Sequence, residues 1–353
     1  MLSGLVGMIA MRGMVSTFPL PGRRAVLLAA GTVLGGCVTK GAPPGPEVRV
    51  PGIEDGSFLM ADGAGLPFRA WLPQGAAERE PAAVVLALHG FNDSRDAWEL
   101  PGPAFAAAGV AVFAPDQRGF GATAARGLWP GADALAADAG AMAMAGLLRL
   151  RYPRARLVLM GESMGGAVLM HLATRGGAVA ADAMVLLAPA VWGRAAMNWF
   201  MQGGLWLAAT LAPGLTVSRP PPGVRIVASD NVEALRALGR NPLTVKETRF
   251  DTLRGLVDLM DLALASAPRI GAVPTLMLYG GKDTIIPAAA TRALWGALQG
   301  ASVRRSFYPG GYHLLPRDLG RAVVIGDILA WVRDPRTALP SGGEAAAGVW
   351  LER

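Results

Sequence analysis

From about residue 81 onward the chain alternates two kinds of segment. Short apolar runs occupy 83–88, 110–115, 157–160, 183–187 and 274–278, and a strand-like run covers 303–308. Between them lie Ala-rich stretches with helical patterning at 103–108, 133–152, 163–175, 288–298 and 320–332. Apolar runs of four to six residues bounded by turn residues read as strands buried on both faces. Strands alternating with helices predict a parallel sheet wound with helices on both faces, an α/β fold. A chain of 353 residues, 52% hydrophobic and only 17% charged, is ample for one large core. One domain with an insertion fits this pattern better than two domains, and no internal repeat is visible.

The insertion is the gap of about eighty residues between the strand ending at Leu187 and the strand beginning at Pro274. A strand-to-helix connection needs far fewer residues, so this segment must build something extra. It holds Trp192, Trp199, Phe200, Trp206, Leu207 and Leu211, then Pro220-Pro221-Pro222, then an amphipathic run over 252–265. The expectation is a helical cap over 191–268 whose apolar face lines a binding pocket for a greasy group. The competing reading is a set of helices packed on the sheet.

Candidate chemistry centres on Gly161-Glu162-Ser163-Met164-Gly165, which follows the apolar run 157–160 and precedes a small-residue helical stretch. Strand, then G-x-S-x-G, then helix is the context of a nucleophile elbow, which lifts the serine hydroxyl toward a helix N-terminus. A serine needs a base to take its proton and a carboxylate to orient that base. Chain order Ser, acid, His selects Asp283, after the strand at 274–278, and His313, in the loop after 303–308. Of the other two histidines, His171 sits on the helix behind the elbow and reads as structural. His89 precedes the serine and reads as support for an oxyanion loop. Asp258 and Asp261 are competing acids in a helical pattern, and Asp116 comes before the serine, outside that order. Backbone N–H groups of Phe91 and Met164 are the expected oxyanion donors.

The set His89-Gly90-Phe91, Asp116-Gln117-Arg118-Gly119-Phe120-Gly121, Gly161 to Gly166, Gly281-Lys282-Asp283 and Tyr312-His313 resembles the monoacylglycerol lipase and lysophospholipase group of α/β-hydrolases, also labelled serine aminopeptidase-like. The likeness spans roughly 57–334. It implies the α/β-hydrolase fold, a core over 57–190 and 269–334, a helical cap, and hydrolysis of carboxylic esters on Ser163. A serine aminopeptidase on the same fold, with Glu233 or Glu247 receiving a substrate amino group, and a non-catalytic surface lipoprotein are the alternatives.

At the N-terminus, Arg23-Arg24 precede the apolar run 25–34 and the sequence Leu34-Gly35-Gly36-Cys37. A basic segment before ten apolar residues is too short to span a bilayer and reads as a secretory signal over 1–37. Its ending resembles a bacterial lipobox, which implies lipidation of Cys37 and a place in the cell envelope, lipid-anchored and facing the periplasm or exterior. Cys37 is the sole cysteine, so no internal disulfide is possible. Residues 38–56, rich in Gly and Pro, are expected to form a flexible tether holding the body off the membrane. Residues 335–353 are expected to be a loosely ordered tail.

The formal charge is +7. Three of those cations, Arg12, Arg23 and Arg24, precede Cys37 with no acid among them, which leaves +4 from Val38 onward. Basic residues are scattered, which argues against nucleic acid as a partner. No phosphate-binding glycine loop or metal-ligand spacing occurs, so no cofactor and no metal are expected.

Overall fold

Each apolar run becomes a strand. The structure, a computed structural model, describes residues 41–76, 79–144, 148–175, 181–218, 226–270, 273–298 and 302–352, so Cys37 and the expected signal segment lie outside the described residues. The strands are β1 (Gly52–Glu54), β2 (Ser57–Leu59), β3 (Gly65–Trp71), β4 (Ala83–Leu88), β5 (Val110–Pro115), β6 (Arg156–Glu162), β7 (Ala183–Leu187), β8 (Thr216–Val217), β9 (Thr248–Arg249), β10 (Thr275–Gly280) and β11 (Val303–Tyr308). The helices are α1 (Pro101–Ala107), α2 (Ala132–Met144), α3 (Leu148–Arg151), α4 (Met164–Leu172), α5 (Trp199–Leu211), α6 (Val232–Arg240), α7 (Phe250–Ser266), α8 (Ala288–Ala297), α9 (Arg321–Arg333) and α10 (Gly343–Leu351).

Among the described residues the main sheet has nine strands in the order β1-β2-β3-β5-β4-β6-β7-β10-β11. The first three are antiparallel, β3 pairs antiparallel with β5, and the pairs from β5 to β11 are parallel. Successive side chains of a strand point to opposite faces, so β4 sends Val84, Leu86 and Leu88 into one core and Ala83, Val85 and Ala87 into the other. Helices α2, α4 and α7 cover the first face, and α1 and α9 the second.

Strand order explains where a site can form. After β4 the chain crosses to β5 on one side; after β6 it crosses to β7 on the other. A ligand crevice opens at such a switch point, outside the C-terminal ends of the strands. Register aligns those ends: Leu88 lies opposite Gly161, and Glu162 opposite Leu187.

Three expectations are corrected. The tether at 38–56 is held against the body from residue 42 onward, because the Ala42 N–H donates to Trp129 O at 3.1 Å, the Val48 N–H to Ala61 O at 2.7 Å, and β1 pairs with β2. Of the expected loose tail at 335–353, the described residues 335–352 are ordered by packing. Trp350 on α10 enters a ring cluster with Tyr279 (5.3 Å), Trp295 (5.2 Å) and Phe307 (4.9 Å), and buried Asp327 accepts from the Ser341 N–H at 2.9 Å.

The third correction divides the insertion. The amphipathic run 252–265 lies in α7, whose Val257, Leu259, Met260 and Ala263 are buried while the helix packs on α4 and α2. It belongs to the layer on the sheet, so of the expected cap only the segment before it is left as a candidate. There α5 keeps Trp199, Phe200, Trp206, Leu207 and Leu211 exposed rather than lining an enclosed pocket. The reason is visible in composition: residues 195–218 carry no charge, so α5 has no polar face to turn toward water. Among the described residues no helix is long and apolar enough to cross a membrane.

Candidate active site

Ser163 occupies the single residue between the end of β6 and the start of α4, at φ 52° and ψ −113°. A non-glycine residue at positive φ is costly and is held only where its surroundings fix it. Here the Ser163 N–H donates to Leu187 O and Ser163 O accepts from the Ala190 N–H, each at 2.9 Å, which ties the turn to the end of β7. Close approach explains the two glycines. A Cβ on Gly161 would lie 2.4 Å from Gly165 C, and one on Gly165 would lie 2.5 Å from Leu88 O. The serine side chain therefore stands at the N-terminus of α4, where the helix dipole favours negative charge.

The structure brings His313 and Asp283 together. Asp283 Oδ1 accepts from the N–H groups of Ile285 (2.7 Å) and Ile286 (3.0 Å), which turns Oδ2 toward His313 Nδ1 at 2.8 Å. A carboxylate only accepts, so in the neutral tautomer this contact selects, Nδ1 carries the proton and Nε2 keeps its lone pair. The two loops are joined by Gly281 N–H to Tyr308 O and Lys282 N–H to Gly311 O, each at 2.8 Å. Ser163 lies on the same rim, and among the described residues its hydroxyl has no hydrogen-bond partner. Catalytic hydrogen bonds commonly tighten only when substrate is bound.

The loop after β4 is held by His89. Its Nε2 accepts from the Gln117 N–H at 3.0 Å, so Nδ1 is the donor, and Nδ1 meets Gly90 O at 2.7 Å. That carbonyl belongs to the same peptide plane as the Phe91 N–H, and a trans peptide points the two in opposite directions. Gripping one therefore aims the other. Burial holds the His89 imidazole below its ordinary pKa, which keeps it neutral and suited to this mixed role. Among the described residues neither the Phe91 nor the Met164 N–H has an acceptor.

The remaining candidates do other work. Asp116 is buried and accepts from the N–H groups of Arg95 (2.7 Å) and Ala122 (2.8 Å), which fixes the turn at Gly121. His171 Nε2 lies 2.8 Å from Asp133 Oδ1, away from Ser163. Asp258 and Asp261 both hold Arg194. Sequence reasoning passed over three groups beside the elbow: Glu162, Asp93 and Arg317 form a buried ion set, with Arg317 Nη1 donating to Asp93 at 2.7 Å and Nη2 to Glu162 at 2.5 Å. The available signal was Glu162 itself, a charge between a buried strand and a buried helix, which requires a partner.

A mostly parallel sheet with helices on both faces, an elbow serine after β6, and an acid and a histidine after β10 and β11 defines an α/β-hydrolase fold. Within that class the chain belongs to the family described as Serine aminopeptidase, S33, whose model matches residues 79–320. It is 25% identical over 284 residues to a monoacylglycerol lipase of Mycolicibacterium smegmatis, covering 78% of this chain and 95% of the relative. Among solved structures it is similar to a soluble variant of monoglyceride lipase from Saccharomyces cerevisiae in complex with a substrate analog (TM-score 0.67, 21% identity, 84% of this chain and 99% of that one). It is also similar to a monoacylglycerol lipase of Paleococcus ferrophilus (TM-score 0.62, 21% identity, 76% and 98%). At that identity the structural likeness speaks to the fold.

Proposed function

We propose that the chain is a serine hydrolase that cleaves carboxylic esters of the acylglycerol or lysophospholipid type through an acyl-enzyme on Ser163. The observation that carries this reading is the elbow, which presents Ser163 on the same rim as a histidine already oriented by a carboxylate. His313 Nε2 takes the hydroxyl proton as Ser163 Oγ attacks the ester carbonyl. Asp283 holds the imidazole in the required tautomer and stabilises the imidazolium that forms. The N–H groups of Phe91 and Met164 receive the developing oxyanion. His313 then protonates the departing alcohol, and water enters by the same path in reverse to release the acid. The exposed apolar side chains of α5 favour a greasy acyl group over a charged or peptide one, and the similarity to the monoacylglycerol lipase of Mycolicibacterium smegmatis points the same way.

An aminopeptidase reading needs a free carboxylate for a substrate amino group. Glu233 is paired with Arg236, and Glu247 accepts from the Thr216 hydroxyl at 3.3 Å, so the two acids considered for that role are engaged. We further propose that Cys37 carries a lipid that places the enzyme in the bacterial cell envelope, facing the periplasm or exterior.

Hydrolysis of p-nitrophenyl esters of graded chain length, beside amino-acid p-nitroanilides, tests the substrate class. The expected result is ester turnover that peaks at one chain length and is lost in Ser163→Ala. Turnover of the anilides alone would replace the reading with the aminopeptidase one.

A further inference from the structure

Arg317 lies four residues past His313 in the turn Leu315–Arg317 and is buried, yet no step of the proposed chemistry uses it. Its two contacts span the site. Asp93 belongs to the loop that carries the Phe91 N–H, and Glu162 immediately precedes Ser163. One rigid guanidinium therefore bridges the oxyanion loop and the nucleophile strand, while its own loop carries the histidine. The surroundings hold that bridge in place. Asp93 Oδ1 also accepts from the Ser94 N–H at 2.8 Å, and Arg317 O accepts from Asn231 Nδ2 at 2.9 Å, which links the turn to the residue capping α6.

A buried ion set is a poor source of stability, because desolvation offsets most of the attraction and an apolar replacement is often as stable. Bidentate geometry is what it supplies: a planar fork fixes the separation of two carboxylates, which a lysine ammonium cannot do. Burial alone would lower the pKa of Arg317, but Glu162 and Asp93 hold it above its ordinary value, so the fork stays charged.

We propose that Arg317 is a positioning residue that joins Asp93 to Glu162 and thereby sets the distance between the Phe91 N–H and Ser163. This rests on the serine-hydrolase reading. Pairing of β4 with β6 fixes the strand ends only as far as Leu88 and Gly161, whereas the Phe91 N–H lies three residues further on, in a loop that the Asp93–Arg317–Glu162 bridge ties to the nucleophile strand. A misplacement of about 1 Å at a reacting centre can cost on the order of 10²-fold in rate.

The test compares wild type with Arg317→Lys, which keeps the charge but loses the fork, and with Asp93→Asn, which weakens one arm at constant shape. Each is measured for melting temperature, KM, and kcat per serine titrated to completion with a fluorophosphonate. The expected result in both is a kcat per titrated serine lower by about 10²-fold, with KM within about twofold and a cooperative melt retained. Asp93→Asn decides the matter if Arg317→Lys does not fold. A wild-type kcat per titrated serine in a folded variant would show that the bridge is only structural and overturn the proposal. A wild type that the fluorophosphonate does not label would remove the hydrolase reading, and this inference with it.

Discussion

Asp283 shows how much of the proposed mechanism depends on which atom faces which. Its Oδ1 is occupied by two backbone N–H groups, so an asparagine there would keep its carbonyl oxygen on Ile285 and Ile286 and turn its NH2 toward His313 Nδ1. Nδ1 would have to accept, Nε2 would carry the proton, and the base would be lost. Asp283→Asn should therefore lower kcat by roughly 10⁴-fold, as wrong-tautomer variants of this triad do, while the melting temperature barely moves. Steady-state kinetics on an ester checks this, and near-normal turnover would take Asp283 out of the acid's role.

His171 gives a prediction of a different kind. Burial holds its pKa below the ordinary 6.5 even with Asp133 beside it, a carboxylate that Arg175 also occupies. The unfolded chain takes up a proton that the folded chain resists, so this contribution to stability is complete above pH 6.5 and is lost as the pH falls below it. The urea midpoint should drop more in wild type than in His171→Asn between about pH 7.5 and about pH 5.5. Equal drops would contradict it. At this scale the turn at Ser163 and the pairing of Asp283 with His313 were legible, because the elbow motif and chain order are local signals. The bridge was not, since Arg317 lies 155 residues from Glu162 and 224 from Asp93.

Among elements, the strands were easier to read than the insertion. A strand buried on both faces leaves an unbroken apolar run, as in β4 and β5, whereas β1 and β2 are three residues long within Gly- and Asp-rich sequence and leave no period to detect. Helix α7 shows the other difficulty: an amphipathic pattern says that one face is covered but not by what, and the cover is α4 rather than a substrate. Truncation separates the two kinds of helix. Leu259→Ala in α7 removes a fully buried side chain and should cost about 2 to 5 kcal/mol. Trp206→Ala in α5, where the indole is 58% exposed, should stay within about 0.5 kcal/mol. Urea unfolding reads both, and a large loss from Trp206→Ala would mean that α5 is packed core rather than exposed surface.

For the whole molecule, the docked N-terminal segment changes how an anchored enzyme would sit. If Cys37 is lipidated, only four residues lie between it and Ala42, whose N–H is already bonded to Trp129, and the five Cα-to-Cα steps reach at most about 18 Å. The body would lie close to the bilayer rather than swing at a distance from it. Gly and Pro in 38–56 suggested flexibility because composition does not record the backbone bonds to Ala61 and Trp129. Cys37→Ser should move the protein from the membrane to the soluble fraction without changing its ester turnover, and unchanged membrane retention would contradict the anchor.

The central claim is that Ser163 is the nucleophile of an acyl-transfer site, and fluorophosphonate labelling with the modified residue mapped by mass spectrometry tests it most directly. The account predicts one adduct, on Ser163, absent from Ser163→Ala and formed far more slowly in Asp283→Asn. A folded wild-type chain that takes up no label, or takes it up at another residue, would contradict it.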